Sequence, residues 1–280
     1  MKATPSITVA GIQVRAVSVA GTETCIAIPS WKLAFDIGKC PDWAVSVPRI
    51  LFTHGHADHM GGIVHHVASR SMMRMPPPEY VVPAEYYDGF CRLLDVWREI
   101  DHSELPCTVR SVVPGDRFAV GKGKAIEVFR SVHRAPTVGY ALMRTKRTLR
   151  PDLIGLAGAE IAALARTGES VHLQVEAPEV VFCGDTTIKV VEQVELVRKA
   201  KLLILEATFL DDRVPVDRAQ KTGHVHLDHI VARADLFENE GILLTHFSAR
   251  YGARQIEEIL NERLPDGLRE RTFPLLSPQK

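Results

Sequence analysis

Apolar and polar positions alternate along residues 7 to 38, with Gly11 and Gly21 interrupting the alternation. A period of two puts one set of side chains on each face of a pleated strand, so this stretch predicts several antiparallel strands at a sheet edge. Arg49-Ile50-Leu51-Phe52 predicts a buried strand end, and Gly61 to Ala68 a short helix. Residues 69 to 78, with Met72, Met73, Met75 and consecutive prolines, read as a stiff connecting loop. Tyr80 to Pro83 predicts a strand. Ala84 to His102 predicts a helix whose core stripe is Phe90, Leu93, Leu94, Trp97 and Ile100, spaced by threes and fours.

Farther along, residues 107 to 132 predict three strands, with Gly121-Lys122-Gly123 as a hairpin turn; no helix follows these glycines, as a phosphate-cradling loop requires. Leu153 to Gly168 reads as a turn and an alanine-rich helix. Apolar runs ending at Phe182, Glu206 and Thr245 predict buried strands. Helices are predicted over 187–200, 227–240 and 253–264, with Ile230, Val231, Ala234 and Phe237 facing inward in the second. The two halves, about 1 to 140 and 170 to 280, each run strand-rich and then helix-rich. That order predicts an α/β (α+β) chain with two sheets packed face to face and helices outside.

With 280 residues and 46% hydrophobic content the chain can bury a large core. Formal net charge is zero, so no global field recruits nucleic acid and any polyanion must be held by a local patch. The five cysteines (25, 40, 91, 107 and 183) show no CxxC pairing and read as reduced thiols of a cytoplasmic protein, with Cys183 a packing residue. Met1 to Ser6 lacks a basic-then-apolar signal, and no run reaches the roughly 18 apolar residues of a membrane span. No membrane partner is expected.

The chemistry concentrates in Thr53-His54-Gly55-His56-Ala57-Asp58-His59. His54 and His56 are too close to share a helix face, but they converge where a chain leaves a strand in a tight loop, which Gly55 permits. Asp58 and His59 then aim at a second point nearby. Imidazole nitrogens plus a carboxylate suit zinc and its first-row neighbours. By composition alone HxHxDH arises on the order of once in a thousand such chains. His133, Asp185 and His246 each follow a hydrophobic run, where a packed scaffold holds a side chain rigidly. His65 and His66 diverge by about 100° on a helix and are left out of the ligand set.

This ordered set resembles the metal-binding signature of the metallo-β-lactamase superfamily, over about residues 7 to 264. The resemblance implies a four-layer αββα sandwich in one domain spanning 1–280. It implies two divalent metal ions, Zn2+ first with Mn2+ or Fe2+ as alternatives. His54, His56 and His133 would bind one ion and Asp58, His59 and His246 the other, with Asp185 bridging. Asp36, in Leu33-Ala34-Phe35-Asp36-Ile37-Gly38, would brace the histidine loop from behind. Two such ions share a water and lower its pKa from about 15.7 to about 7, on the order of 12 kcal/mol of deprotonation free energy.

Three further segments resemble ribonuclease Z, the tRNA 3′-end-processing branch: His133 with Gly139-Tyr140, Leu205-Glu206-Ala207-Thr208-Phe209, and Thr245-His246-Phe247-Ser248-Ala249-Arg250-Tyr251. The basic run Arg144 to Arg150 falls where those enzymes carry a tRNA-gripping arm, so about 144–170 reads as an arm-like insertion. The chain departs from the branch in four places. No glycine- and proline-rich arm tip is present, residues 20 to 26 lack a Pro-Thr-x-x-Arg-Asn run, Leu205 replaces a histidine, and Val225-His226 replaces Ser-Thr after His224.

The resemblance implies a phosphodiesterase acting on RNA or a tRNA 3′ end, usually as a homodimer. A metal-bridging hydroxide would attack the phosphodiester and Asp58 would orient it. Glu206 and His224 would form the acid-base pair, with the groups that support it changed, and Ser248 and Arg250 would hold phosphate. His226 is expected to face solvent. The alternative is a metal-dependent hydrolase of a carboxylic substrate such as a lactone, thioester or β-lactam, because fold alone does not select the electrophile.

Overall fold

The computed structural model describes residues 6–276, so most of the Met1 to Ser6 stretch read for a signal lies outside the described residues. One sheet takes its strands in chain order: β1 (Ser6–Val9), β2 (Ile12–Val19), β3 (Glu23–Ile28), β4 (Leu33–Phe35), β5 (Arg49–Leu51), β6 (Glu79–Pro83) and β7 (Thr108–Val112). The second does the same with β8 (Arg117–Gly121), β9 (Lys124–Ser131), β10 (Thr137–Leu149), β11 (His172–Phe182), β12 (Leu202–Glu206), β13 (Gly241–Thr245) and β14 (Thr272–Pro274). In each, the first four strands pair antiparallel and the last four parallel.

The two-fold repeat is therefore present, but its boundary falls between Val112 and Arg117 rather than at the expected 140 to 170. Strand pairing decides this: β9 lies against β10 with Val128 opposite Tyr140, which assigns it to the second sheet. Local hydrophobicity carries no information about that partner.

Alternation within the strands explains the layers. In β12 every side chain is buried. Leu202 and Ile204 join Phe35, Leu51, Val81, Tyr140 and Phe182 between the sheets. Leu203 and Leu205 point the other way, into a core with Ile230, Ile256 and Leu260 from the covering helices. On the far side Ile50, Tyr80 and Val82 pack with Ile63, Val67, Phe90 and Leu94. Three cores between four layers give the αββα sandwich. Phe35 and Phe182 meet across the sheets at 5.0 Å between centroids, worth about 0.5–1.5 kcal/mol beyond area burial.

Several elements differ from expectation. The helix Ile63–Met72 runs four residues into the expected loop, because buried Arg70 donates to the carbonyls of Val45 (2.7 Å) and Pro76 (2.8 Å) and ties the segment down. In the helix Ala84–Asp101 only Phe90 and Leu94 are buried; Leu93, Trp97 and Ile100 are 46%, 37% and 60% exposed. This helix lies over β6 and the edge strand β7, so only part of its stripe has a sheet beneath it. The helix expected over 227–240 stops at Val231, and a short 3₁₀ turn follows at Ala234–Leu236. Asn239 draws the chain away by donating to the carbonyls of Val197 and Ala200. The helix expected over 187–200 is broken at Val194, whose backbone is extended. The helix Val216–Thr222 was not anticipated.

Beyond the sheet, β10 and β11 continue as an antiparallel ribbon pairing Arg144 with Ala177 out to Leu149 with His172. A helix, Gly158–Arg166, with no buried residue lies at its tip, as the alanine-rich segment predicts. Among the described residues no helix is long and apolar enough to cross a membrane, and the five cysteines are all free.

Candidate metal centre

The singled-out residues gather at one end of the sandwich, beyond the carboxyl ends of the parallel strands. Asp36 follows β4, the His54 loop follows β5, Asp185 follows β11, Glu206 ends β12 and His246 follows β13. The open ends of parallel strands are where loops can converge on a ligand without disturbing the core. His133 reaches the same end from the turn between β9 and β10.

Asp36 sits in the left-handed region at φ 55° and is fully buried. Its Oδ1 accepts from the Thr53 amide at 2.8 Å, and its Oδ2 accepts from the Thr53 hydroxyl at 2.9 Å and from His59 Nδ1 at 2.8 Å. Burial pushes the carboxyl upward, against the lowering effect of His59. The hydrogen bond places the His59 proton on Nδ1 and leaves Nε2 directed at the cluster.

Among the described residues three overlapping groups of candidate ligands result, of which the third, Asp185, His224 and His246, shares residues with the other two. His54, His56, His133 and Asp185 offer atoms within 4.8 Å of one another, as do Asp58, His59 and His246. Asp185 stands between them: Oδ2 is 3.8 Å from His54 Nε2, and Oδ1 is 3.3 Å from both His59 Nε2 and His246 Nε2. Asp58 Oδ2 lies 3.7 Å and 3.6 Å from the same two nitrogens and accepts from the Gly21 amide at 2.8 Å. Although burial opposes it, His246 and His59 hold the Asp58 carboxyl well below the usual carboxylate range. Burial holds His54 well down and also lowers His133, toward the neutral form a ligand requires.

A divalent metal ion fits this donor set. His133 donates through Nδ1 to the Gly223 carbonyl at 2.8 Å, while its Nε2 is buried with no partner among the described residues. Buried polar atoms are almost always satisfied, and a ring nitrogen whose other nitrogen is committed as donor offers its lone pair. His59 Nε2 and His246 Nε2 face each other at 3.3 Å, a separation suited to two ligands each about 2.0–2.1 Å from a common ion. His65 is exposed, and His66 is occupied by Tyr80 and the Val47 carbonyl.

Glu206 is buried beside the cluster. Its Oε1 accepts from His224 Nδ1 and the Thr186 amide, both at 2.8 Å, and its Oε2 accepts from the Thr208 hydroxyl at 2.5 Å and the Val225 amide at 3.2 Å. Supports thus come from Thr186, Thr208 and the backbone, in place of the changed neighbours in sequence. Burial lowers His224, but the Glu206 carboxylate outweighs it and lifts the imidazole to about 9. The His224 ring stacks on His246 at 5.7 Å and 22°.

A model of the β-lactamase superfamily domain matches residues 40–247. The chain is 39% identical to tRNase Z TRZ1 of Arabidopsis thaliana over 98% of its own length and 99% of that protein. It belongs to the tRNase Z family of the metallo-β-lactamase superfamily. As a member of that family it is a metal-dependent hydrolase. Among solved structures, human tRNase Z, short form, aligns with a TM-score of 0.59 at 20% identity, covering 88% of this chain and 94% of that one. The metallo-β-lactamase fold protein YhfI from Bacillus subtilis aligns at 0.60 and 13%, covering 94% and 95%. At such identities these two bear on fold alone.

Within this family member, the remaining singled-out residues divide. Ser248 pairs with Ala20 and lines a cavity of about 580 Å³ with Glu23 and Lys39. Arg250 is exposed, and its guanidinium makes no hydrogen bond or ion pair among the described residues. His226, expected to face solvent, is fully buried: Nδ1 accepts from the Asp228 amide at 3.1 Å and Nε2 donates to the Asp211 carbonyl at 3.2 Å, so it caps the helix Leu227–Val231. The Gly21 amide, the Gly223 carbonyl, Thr53 and Thr186 escaped the sequence reading, because backbone groups and threonines carry no motif of their own.

Proposed function

We propose that the chain is a dinuclear, zinc-preferring phosphodiesterase that cuts RNA at the 3′ end of tRNA. The Glu206–His224 pair carries this reading, since a protonated imidazole beside a metal-ligating cluster serves a reaction that must release an alkoxide. Near-complete coverage of a protein named tRNase Z supports the same substrate.

In this reading His54, His56 and His133 would hold one ion and Asp58, His59 and His246 the second, with Asp185 a ligand available to both. When bound, such ions supply a water of lowered pKa and neutralise charge on the phosphoryl oxygens. The chain's own residues do the rest. Asp36 fixes the His59 tautomer, and the Gly21 amide aims Asp58 at the attacking side. His224 gives its proton to the leaving oxygen, and Glu206 keeps it charged until then. Ser248 and Arg250 flank the His246 loop and contact the substrate phosphate.

Residues 1–280 act as one catalytic domain, with 144–170 as an arm toward RNA. A homodimer is supported by the exposed Leu93, Trp97 and Ile100, and a reducing cytoplasmic setting by the free cysteines. The deciding experiment measures turnover of bis-p-nitrophenyl phosphate and of a precursor tRNA beside a lactone panel, using protein with quantified metal, with Glu206→Ala and Asp58→Ala in parallel. Diester and tRNA cleavage that collapses in both variants is expected. Lactone turnover indifferent to Glu206, with the diester untouched at about two metals per chain, would overturn the reading.

A further inference from the structure

A cavity of about 450 Å³ adjoins the cluster through His133. Arg134, Lys189 and Lys221 line it, against the single carboxylate of Asp217. Lys221 Nζ lies 3.3 Å from that carboxylate in a solvent-exposed pair, which holds the lysine only weakly. Arg134 and Lys189 make no hydrogen bond or ion pair among the described residues.

A further residue of the wall points to a ligand independently. Thr187 is only 6% exposed, and its hydroxyl has no partner among the described residues. Buried hydroxyls are almost always paired, and an acceptor in the cavity would satisfy this one. Its amide is already committed to the Val132 carbonyl at 2.7 Å, so the residue is fixed in place. Thr187 and Lys189 come two and four residues after Asp185, and His133 of the ligand cluster shares the cavity wall with them.

We propose that this cavity holds a second phosphate of a nucleic-acid strand, the one neighbouring the linkage being cut. The Thr187 hydroxyl donates to a non-bridging oxygen, while Lys189, Lys221 and Arg134 supply charge. The proposal rests on the phosphodiesterase reading and adds where the strand runs. It also explains how a chain of zero net charge grips a polyanion, since the attraction is local.

The test uses metal-loaded full chain and three chromogenic substrates. These are the p-nitrophenyl phosphodiester of one nucleotide, that of a dinucleotide with a second phosphate, and the dinucleotide with an uncharged methylphosphonate at the second linkage. Lys189→Met, Lys221→Met and Thr187→Val are expected each to raise KM for the charged dinucleotide about fivefold, leaving kcat and both other substrates within about twofold. Each lysine variant should also flatten the slope of log KM against log salt by about 0.7. Equal effects on all three substrates, or none on the charged dinucleotide, would overturn the proposal. If no ester is hydrolysed, the phosphodiesterase reading falls instead. Fluorescence anisotropy of a labelled dinucleotide then still tests the cavity, and binding indifferent to both lysines and to Thr187 overturns it.

Discussion

Nδ1 of His224 donates to Oε1 of Glu206 across 2.8 Å, and that bond sets the charge of the partly exposed imidazole stacked on His246. The carboxylate raises the imidazole above its ordinary value, to about 9, against the opposing effect of burial. The acid form therefore persists below that value, and the pair's contribution to folding stability, full below an unfolded pKa of about 6.5, is lost as pH rises through about 9.

Loss of the His224 proton predicts an alkaline limb in the kcat profile of the metal-loaded enzyme. Glu206→Gln keeps the shape, removes the charge, and should move that limb to lower pH while cutting kcat about 100-fold or more. Phosphodiester turnover recorded from pH 6 to pH 10 checks this, and an unmoved limb would assign it to another group.

His66 predicts an acid-side effect outside the ligand cluster. Burial pushes its imidazole down to about 4, with Arg70 adding to the shift, and both ring nitrogens are engaged by Tyr80 and Val47. Below about 6.5 the unfolded chain takes a proton that the folded chain refuses, so this stability is complete above about 6.5 and lost as pH falls toward 4. Between pH 7.5 and 5 it amounts to about 2 kcal/mol. Urea unfolding at the two pH values should show a smaller loss in His66→Gln than in wild type; equal losses would refute the assignment.

Asp36→Asn leaves a side chain that tolerates the left-handed backbone but removes the charge facing His59. Metal affinity should fall about 10–100-fold with little change in fold. Competition with a chromogenic chelator reads the affinity, and circular dichroism the fold.

Gly223 has φ +83°, and a Cβ there would lie 2.8 Å from His133 Nδ1, displacing the carbonyl that orients the ring. Gly223→Ala should cost backbone strain of about 1–2 kcal/mol and also impair metal binding. Gly115, at φ +100° with open space around it, is the matched control: Gly115→Ala should lose stability without losing metal. Metal content per chain separates the two.

Residues 6–276 show how much of this was legible in the chain. The sequence alone determined the order of the ligands and their place just after apolar runs, because a buried strand and the loop at its end are local features. It likewise determined the helix Ala84–Asp101 and the strand Gly241–Thr245, whose periodicities are strong. Only the tertiary structure decided that β9 joins the second sheet, that Trp97 and Ile100 stay exposed, and that His226 is buried as a cap rather than solvated. It alone decided which oxygen of Asp185 meets which histidines, and that the Gly21 amide and the Gly223 carbonyl aim Asp58 and His133. These depend on distances between segments as much as 187 residues apart, as at His59 and His246. Local pattern records which groups are available, and packing selects which of them meet.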